Sequence, residues 1–159
     1  MDKLETLRHS TAHVLAQAVL SLYPKAKLAI GPPIDTGFYY DFDNLNITQE
    51  DLPKIEAKMK EIISQDYKFK KFKASRKEAE KLLASQPYKL EMLKNIPDNE
   101  ITFYQDGNFT DSCAGPHIES TGKIKAFKLL KIAGAYWHGD SNKQMLTRIY
   151  GTAFFSQKE

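Results

Sequence analysis

Residues 2–24 read DKLETLRHSTAHVLAQAVLSLYP. Leu4, Leu7, Thr11, Val14, Leu15, Ala18 and Leu22 recur at the three- and four-residue spacing of one helix face, with Asp2 placed to cap the start and Pro24 just past the end. The segment predicts a long N-terminal helix. At about 100° per residue, His9 and His13 fall roughly opposite the apolar stripe, one turn apart. Ala16 and Leu20 continue that second side, so the pair has small and apolar neighbours able to floor a pocket.

Outward from this helix, KLAI (27–30) and GFYYDFD (37–43) flank GPPIDTG, whose glycines and prolines mark the turn region between two adjacent strands. Thr48 with Asp51 predicts a capping box, followed by an apolar stripe of Leu52, Ile55, Met59, Ile62 and Ile63. Pro53 is tolerated in the first turn. A lysine-rich strand follows, then a short helix from Ser75 to about Ser85 and another in YKLEMLKNI after Pro87. From Ile101 the texture turns aromatic and β-branched in ITFYQ, NFTDSC, AFKLLKIAGAYW and MLTRIYGTAF, which favours antiparallel strands.

Helices before strands, without regular alternation, predict an α+β fold of two layers, an antiparallel sheet packed against helices that include the long N-terminal one. One domain over residues 1–159 is expected, divided into the helix carrying the histidine pair (1–24), a hairpin, helix and basic strand (25–74), short helices (75–100) and mainly antiparallel strands (101–159).

The composition sets bounds on function. At 159 residues and 42% hydrophobic, the chain suffices for one compact core. Lysine and arginine number 23 against 20 acidic residues, a net charge of +3, too small to advertise nucleic acid by itself. KFKKFKASRK (68–77) interleaves lysines with Phe69 and Phe72, which gives either a solvated basic face or a contact strip. A single cysteine makes no intrachain disulfide, and no hydrophobic run marks a secretory leader, so a cytosolic setting is expected. No apolar stretch approaches the roughly 20 residues that cross a bilayer.

The chemistry-bearing residues fall in two segments. His9 and His13 lie in the first helix, Cys113 and His117 in DSCAGPH (111–117), and His138 is the one histidine elsewhere. Gly115-Pro116 forbids regular helix, so Cys113 and His117 bracket a tight turn. Asp111, two residues before the cysteine, falls on the same side of a strand and brings a carboxylate to the cluster. His9, His13, Cys113 and His117 have the donors of a tetrahedral zinc site, and the same set suits a metal-free hydrolytic pocket. Zinc-protease logic fails, because Ser10 stands where HEXXH needs glutamate.

HSTAHVLAQAV, LAIGPPIDTGFYYDFD, DSCAGPH and AGAYWHGDSNKQMLTRIYGTAF together resemble the editing domain of bacterial-type threonyl-tRNA synthetases, and more distantly that of alanyl-tRNA synthetases. The resemblance runs from about Leu7 to the C-terminus. It implies hydrolysis of serine from tRNA(Thr), whose serylated acceptor end would be the partner, together with the class II aminoacylation core of a full-length enzyme. Such editing is needed because one methyl group supplies only about 1 to 3 kcal/mol of discrimination. The aminoacylation core and anticodon-binding domain are not matched, so the chain is expected to be an excised editing domain or a freestanding editing factor.

The resemblance also implies roles. His9 and Lys89 would position or deprotonate the attacking water, with Lys89 stabilising the oxyanion. His13, Asp111, Cys113 and His117 would shape the serine pocket and hold its amine and hydroxyl. No cofactor is required on this reading, with zinc at His9, His13, Cys113 and His117 as the alternative. Cys113 as a covalent nucleophile ranks below a pocket role, since ester hydrolysis does not need it. A functional alternative is a noncatalytic tRNA-binding or zinc-binding module of the same fold, with residues 68–77 as its contact strip. Two departures stand out: His138 replaces the family's usual arginine, and Phe109 stands where some members carry tyrosine.

Overall fold

The computed structural model describes residues 1–156. Along the chain come α1 (Lys3–Leu22), β1 (Lys27–Leu28), β2 (Pro33–Ile34), β3 (Gly37–Asp43), α2 (Leu52–Ser64), β4 (Lys70–Lys73), α3 (Arg76–Leu82), α4 (Pro87–Leu93), β5 (Thr102–Asp106), β6 (Phe109–Ser112), β7 (Ala126–Tyr136) and β8 (Met145–Phe154). The expected α+β architecture holds, with two antiparallel sheets where one was expected. The larger runs β1-β3-β8-β7, with β2 also on β3; the smaller runs β4-β5-β6.

The long helix forms as its pattern predicts. Asp2 Oδ1 accepts from the Glu5 backbone N–H at 2.8 Å, capping the first turn. Its burial is far wider than a single stripe: Arg8, Ser10, Thr11, Ala12, His13 and Ala16 are buried together with Leu7, Val14, Leu15, Ala18 and Val19. The reason is that α1 packs against α2, β2, β3 and β8 on one side and reaches β5 and β6 on the other, through His13 and Gln17. Phe38, Tyr40 and Phe42 alternate along β3, so all three turn inward to the main core.

Two smaller cores hold α4. Leu93 and Leu90 pack with Ala74, Ala79, Leu83, Ile101 and Phe103, while Tyr88 and Met92 pack with Ala29, Trp137 and Leu146. Hydrogen bonds from Tyr88 to Asp43 and from Trp137 Nε1 to Glu91 add to this clamp. With residues 88 and 92 committed to one core and 90 and 93 to the other, Lys89 is left facing the active pocket.

Local readings are adjusted in three places. Ser75 caps α3 through a reciprocal box with Glu78, so the strand stops at Lys73 and Arg76 and Lys77 belong to the helix. Phe69 and Phe72 are three residues apart and cannot share a strand face; Phe72 stacks on Phe103, whereas Phe69 stacks on His117. The helix from Ser75 ends at Leu82, three residues short of the expected Ser85.

Phe42 is fully buried between β3 and α1. Phe42→Ala is expected to lower unfolding free energy by about 3 to 5 kcal/mol, read from urea denaturation followed by circular dichroism.

Candidate functional site

Four separate pieces of the chain meet at one pocket of about 50 Å³, room for a few water molecules. His9 and His13 come from α1, Lys89 from α4, Asp111 from β6, and Cys113 and His117 from the turn after it. All six residues singled out in the sequence line it. Gly31, Tyr40 and Ser112 complete the wall. Tyr40 was not singled out, although its alternation with Phe38 and Phe42 puts it on the same inward side.

The hydrogen bonds fix the tautomers. His9 Nδ1 lies 3.2 Å from the Pro116 carbonyl, which can only accept, so Nδ1 carries the proton. Its Nε2 then faces Cys113 Sγ at 3.4 Å as an acceptor. Burial lowers the His9 pKa and raises that of Cys113, so near neutrality a thiol donates to a neutral imidazole.

Ser10 determines the state of His117. Its hydroxyl donates its one proton to the Thr6 carbonyl and accepts from Ile118 N–H, each at 2.9 Å. The His117 Nδ1, 2.9 Å away, must therefore donate to it. This leaves His117 Nε2 as a buried lone pair without a hydrogen-bond partner among the described residues. Burial, aided by His13 and His9, pushes the His117 pKa down to about 2. The ring is held in a column, 4.6 Å from His9 and 4.9 Å from Phe69, with the edge of Tyr104 at 4.5 Å. Gly115 is required beside it: at φ +79° a Cβ would come within 2.2 Å of the Tyr104 hydroxyl.

Opposite the imidazoles lies the charged pair. Lys89 Nζ is 3.3 Å from Asp111 Oδ2, and the Tyr40 hydroxyl donates to the same oxygen at 3.1 Å. Desolvation and the Asp111 carboxylate raise the Tyr40 pKa, keeping it a phenol. Asp111 Oδ1 has no hydrogen-bond partner among the described residues. His13, by contrast, turns its Nε2–H to Asp106 Oδ1 at 2.6 Å. Asp106 was not anticipated; before Gly107 and Asn108 it reads as a turn residue.

The metal question narrows on the same geometry. Ligand atoms of His9, Cys113 and His117 lie within 4.8 Å of one another, and His13 does not join them. The four-ligand zinc set becomes a three-ligand set, because Asp106 occupies His13 Nε2. His117 Nε2, with His9 Nε2 and the Cys113 sulfur once the thiol proton those two share is lost, gives a set of donors that zinc accepts, with a fourth position open.

The two departures sit in different surroundings. His138 Nε2 lies 3.5 Å from Glu91 on α4, so its partner is a half-exposed carboxylate of the same chain. Phe109 sits behind His13, ring centroids 4.8 Å apart, and lines a different cavity.

The family described as "Threonyl and Alanyl tRNA synthetase second additional domain" matches residues 101–150. A threonine–tRNA ligase of Dehalococcoides mccartyi is 56% identical over 158 residues, which cover 99% of this chain and 27% of the ligase. The corresponding ligase of Rubrobacter xylanophilus is 54% identical over 159 residues, covering 99% and 25%. The chain belongs to the editing domains of the threonyl-tRNA synthetase family. It spans about a quarter of the length of the curated relatives it matches. No helix of this editing domain is long and apolar enough to cross a membrane.

The histidine state has a thermodynamic consequence. The folded His117 pKa lies near 2 against 6.5 when free, so between those values the unfolded chain binds the extra proton and stability falls as pH drops. His117→Asn keeps an N–H for Ser10 and removes this dependence. Between pH 6.5 and 5 the editing domain is expected to lose stability more steeply than the variant, by up to about 1.4 kcal/mol per pH unit, measured by urea unfolding.

Proposed function

We propose that this domain hydrolyses the ester of seryl-tRNA(Thr), releasing serine and the free 3′-terminal adenosine hydroxyl. The observation that carries this reading is the pair of buried acceptors, Asp111 Oδ1 and His117 Nε2, that have no hydrogen-bond partner among the described residues, inside a small polar pocket that also contains Lys89 and His9. Buried acceptors without donors mark places where a ligand supplies them. The ammonium of an aminoacyl ester matches the Asp111 oxygen, and a serine hydroxyl matches the His117 nitrogen.

Lys89 then places positive charge where the ester carbonyl becomes an oxyanion. His9, neutral through burial, accepts the proton of the attacking water at Nε2 once the Cys113 thiol hydrogen turns away from that nitrogen. His13, Asp111, Cys113 and His117 form the walls of the amino-acid pocket. Cys113, a protonated thiol, serves as a wall and a donor to His9 rather than as a nucleophile. No metal is needed for these steps. Zinc on His9, Cys113 and His117 is the competing arrangement, in which the bound ion would polarise water.

The route for the acceptor end is a groove of about 830 Å³ that shares His9, Gly31, Lys89 and Cys113 with the pocket. Lys71 and Lys73 line it from one face of β4, with Met92 and Ile96 as apolar ground. A single-stranded end combines phosphates for such lysines with bases for such apolar groups. Residues 1–159 act on this reading as one cytoplasmic editing unit, and a class II aminoacylation core is the partner that supplies the mischarged end.

Serylated and threonylated tRNA(Thr), incubated with the protein with and without chelator, test the reading. Selective serine release that survives chelation is expected. Release from neither substrate would establish a binding module instead, and release abolished by chelator alone would establish the zinc arrangement. Lys89→Ala is expected to lower kcat for serine release by about 100- to 1,000-fold in single-turnover assays. Replacing Lys71 and Lys73 together with alanine is expected to weaken tRNA binding and flatten its salt dependence, by about 0.7 log units per log unit of salt for each lysine.

A further inference from the structure

The His13–Asp106 contact is a buried hydrogen bond that the hydrolytic scheme leaves unexplained. Asp106 closes β5 and is 1% exposed. Its Oδ1 accepts from His13 Nε2–H at 2.6 Å, and its Oδ2 has no hydrogen-bond partner among the described residues. A buried carboxylate is costly unless donors surround it, and a carboxylate serving only to stabilise a fold usually gathers several. Among the described residues this side chain has one hydrogen-bond donor, the imidazole at the wall of the pocket. Helix and strand are already tied by Gln17 Nε2, which donates to the Asp106 backbone carbonyl at 3.4 Å.

The arrangement around His13 is consistent with such a dedicated role. Phe69, Phe109 and His117 meet its ring edge-on, with centroids at 5.3, 4.8 and 5.0 Å, and so fix the ring without hydrogen-bonding it. An ionised carboxylate only accepts, so the proton sits on Nε2 and the unprotonated nitrogen of a neutral ring is Nδ1. His9 and His117 are opposite, each protonated on Nδ1. The pocket thus contains two imidazoles of one tautomer and one of the other, and Asp106 is what sets the difference.

We propose that Asp106 is a positioning residue of the editing site, acting through its hydrogen bond to His13 to hold that ring in the tautomer and orientation that the aminoacyl ester meets. It does not touch the substrate. A carboxylate that orients a histidine in this way can govern turnover strongly without contributing to binding. The inference rests on the hydrolytic reading above.

The test uses Asp106→Ala and Asp106→Asn in the full chain with seryl-tRNA(Thr), beside the wild type. Asp106→Ala is expected to lower kcat about 10- to 100-fold while KM stays within about twofold. Added formate is expected to restore part of the loss in Asp106→Ala and to leave the wild type unchanged. In spectra of ¹⁵N-histidine-labelled protein, the His13 Nε2–H signal should be present in the wild type and absent from Asp106→Ala. Should the alanine variant not fold, the isosteric asparagine variant carries the kcat readout, because its neutral amide replaces the carboxylate and its Oδ1 remains only a weaker acceptor for His13. A folded variant with unchanged kcat, or a His13 signal that survives the loss of the carboxylate, overturns the role of Asp106. A wild type that releases no serine overturns the hydrolytic reading itself, which an active wild type beside an equally active variant leaves standing.

Discussion

Everything at the site follows from the burial of α1 between two sheets. A helix with one wet face could leave its polar side chains to water, but this one cannot. Arg8, Ser10, Thr11 and His13 are all buried, and each is satisfied inside the protein. Arg8 donates to the Ala153 and Asp35 carbonyls, Thr11 to Leu7, Ser10 to Thr6 and His13 to Asp106. Satisfying these groups is what draws the turn after β6 and the end of β5 onto the helix. The reactive cluster is therefore a by-product of packing a polar helix in a dry place.

That same dryness sets the electrostatics. The imidazole side of the pocket is neutral, because burial lowers His9 and His117 and raises Cys113. The other side keeps a lysine and a carboxylate 3.3 Å apart. Charge is thus confined to one wall and lone pairs to the other, which gives a polar ligand two distinguishable ends to read. Both walls contain acceptors with no donor among the described residues.

Much of this was legible in the sequence, and the limits are physical. The spacing of apolar residues in 2–24 and the capping signals at Asp2, Thr48 and Ser75 depend on neighbours in the chain, so they could be read directly. The meeting of His9 with Cys113 and His117 came from residue types and from the resemblance to known editing domains. Lys89 came from the resemblance alone, since its position between two small cores depends on contacts distant in sequence. Asp106 left no local signal: before a glycine it looks like a turn residue, and only the crossing of α1 over β5 makes it the partner of a histidine. The second sheet was missed for a similar reason: β4 pairs with β5, Lys70 opposite Gln105 and Lys73 opposite Thr102, across two intervening helices, and that pairing is not written in either strand.

The clamping of α4 by two small cores has a dynamic meaning. The wall bearing His9 and His13 belongs to the main core, whereas Lys89 rides on a seven-residue helix held by separate and smaller clusters. Local opening proceeds in units defined by such clusters, and the least buried unit opens first. Loss of those small clusters would detach the lysine and leave the histidine wall folded, so the two walls of the site depend on separate packing.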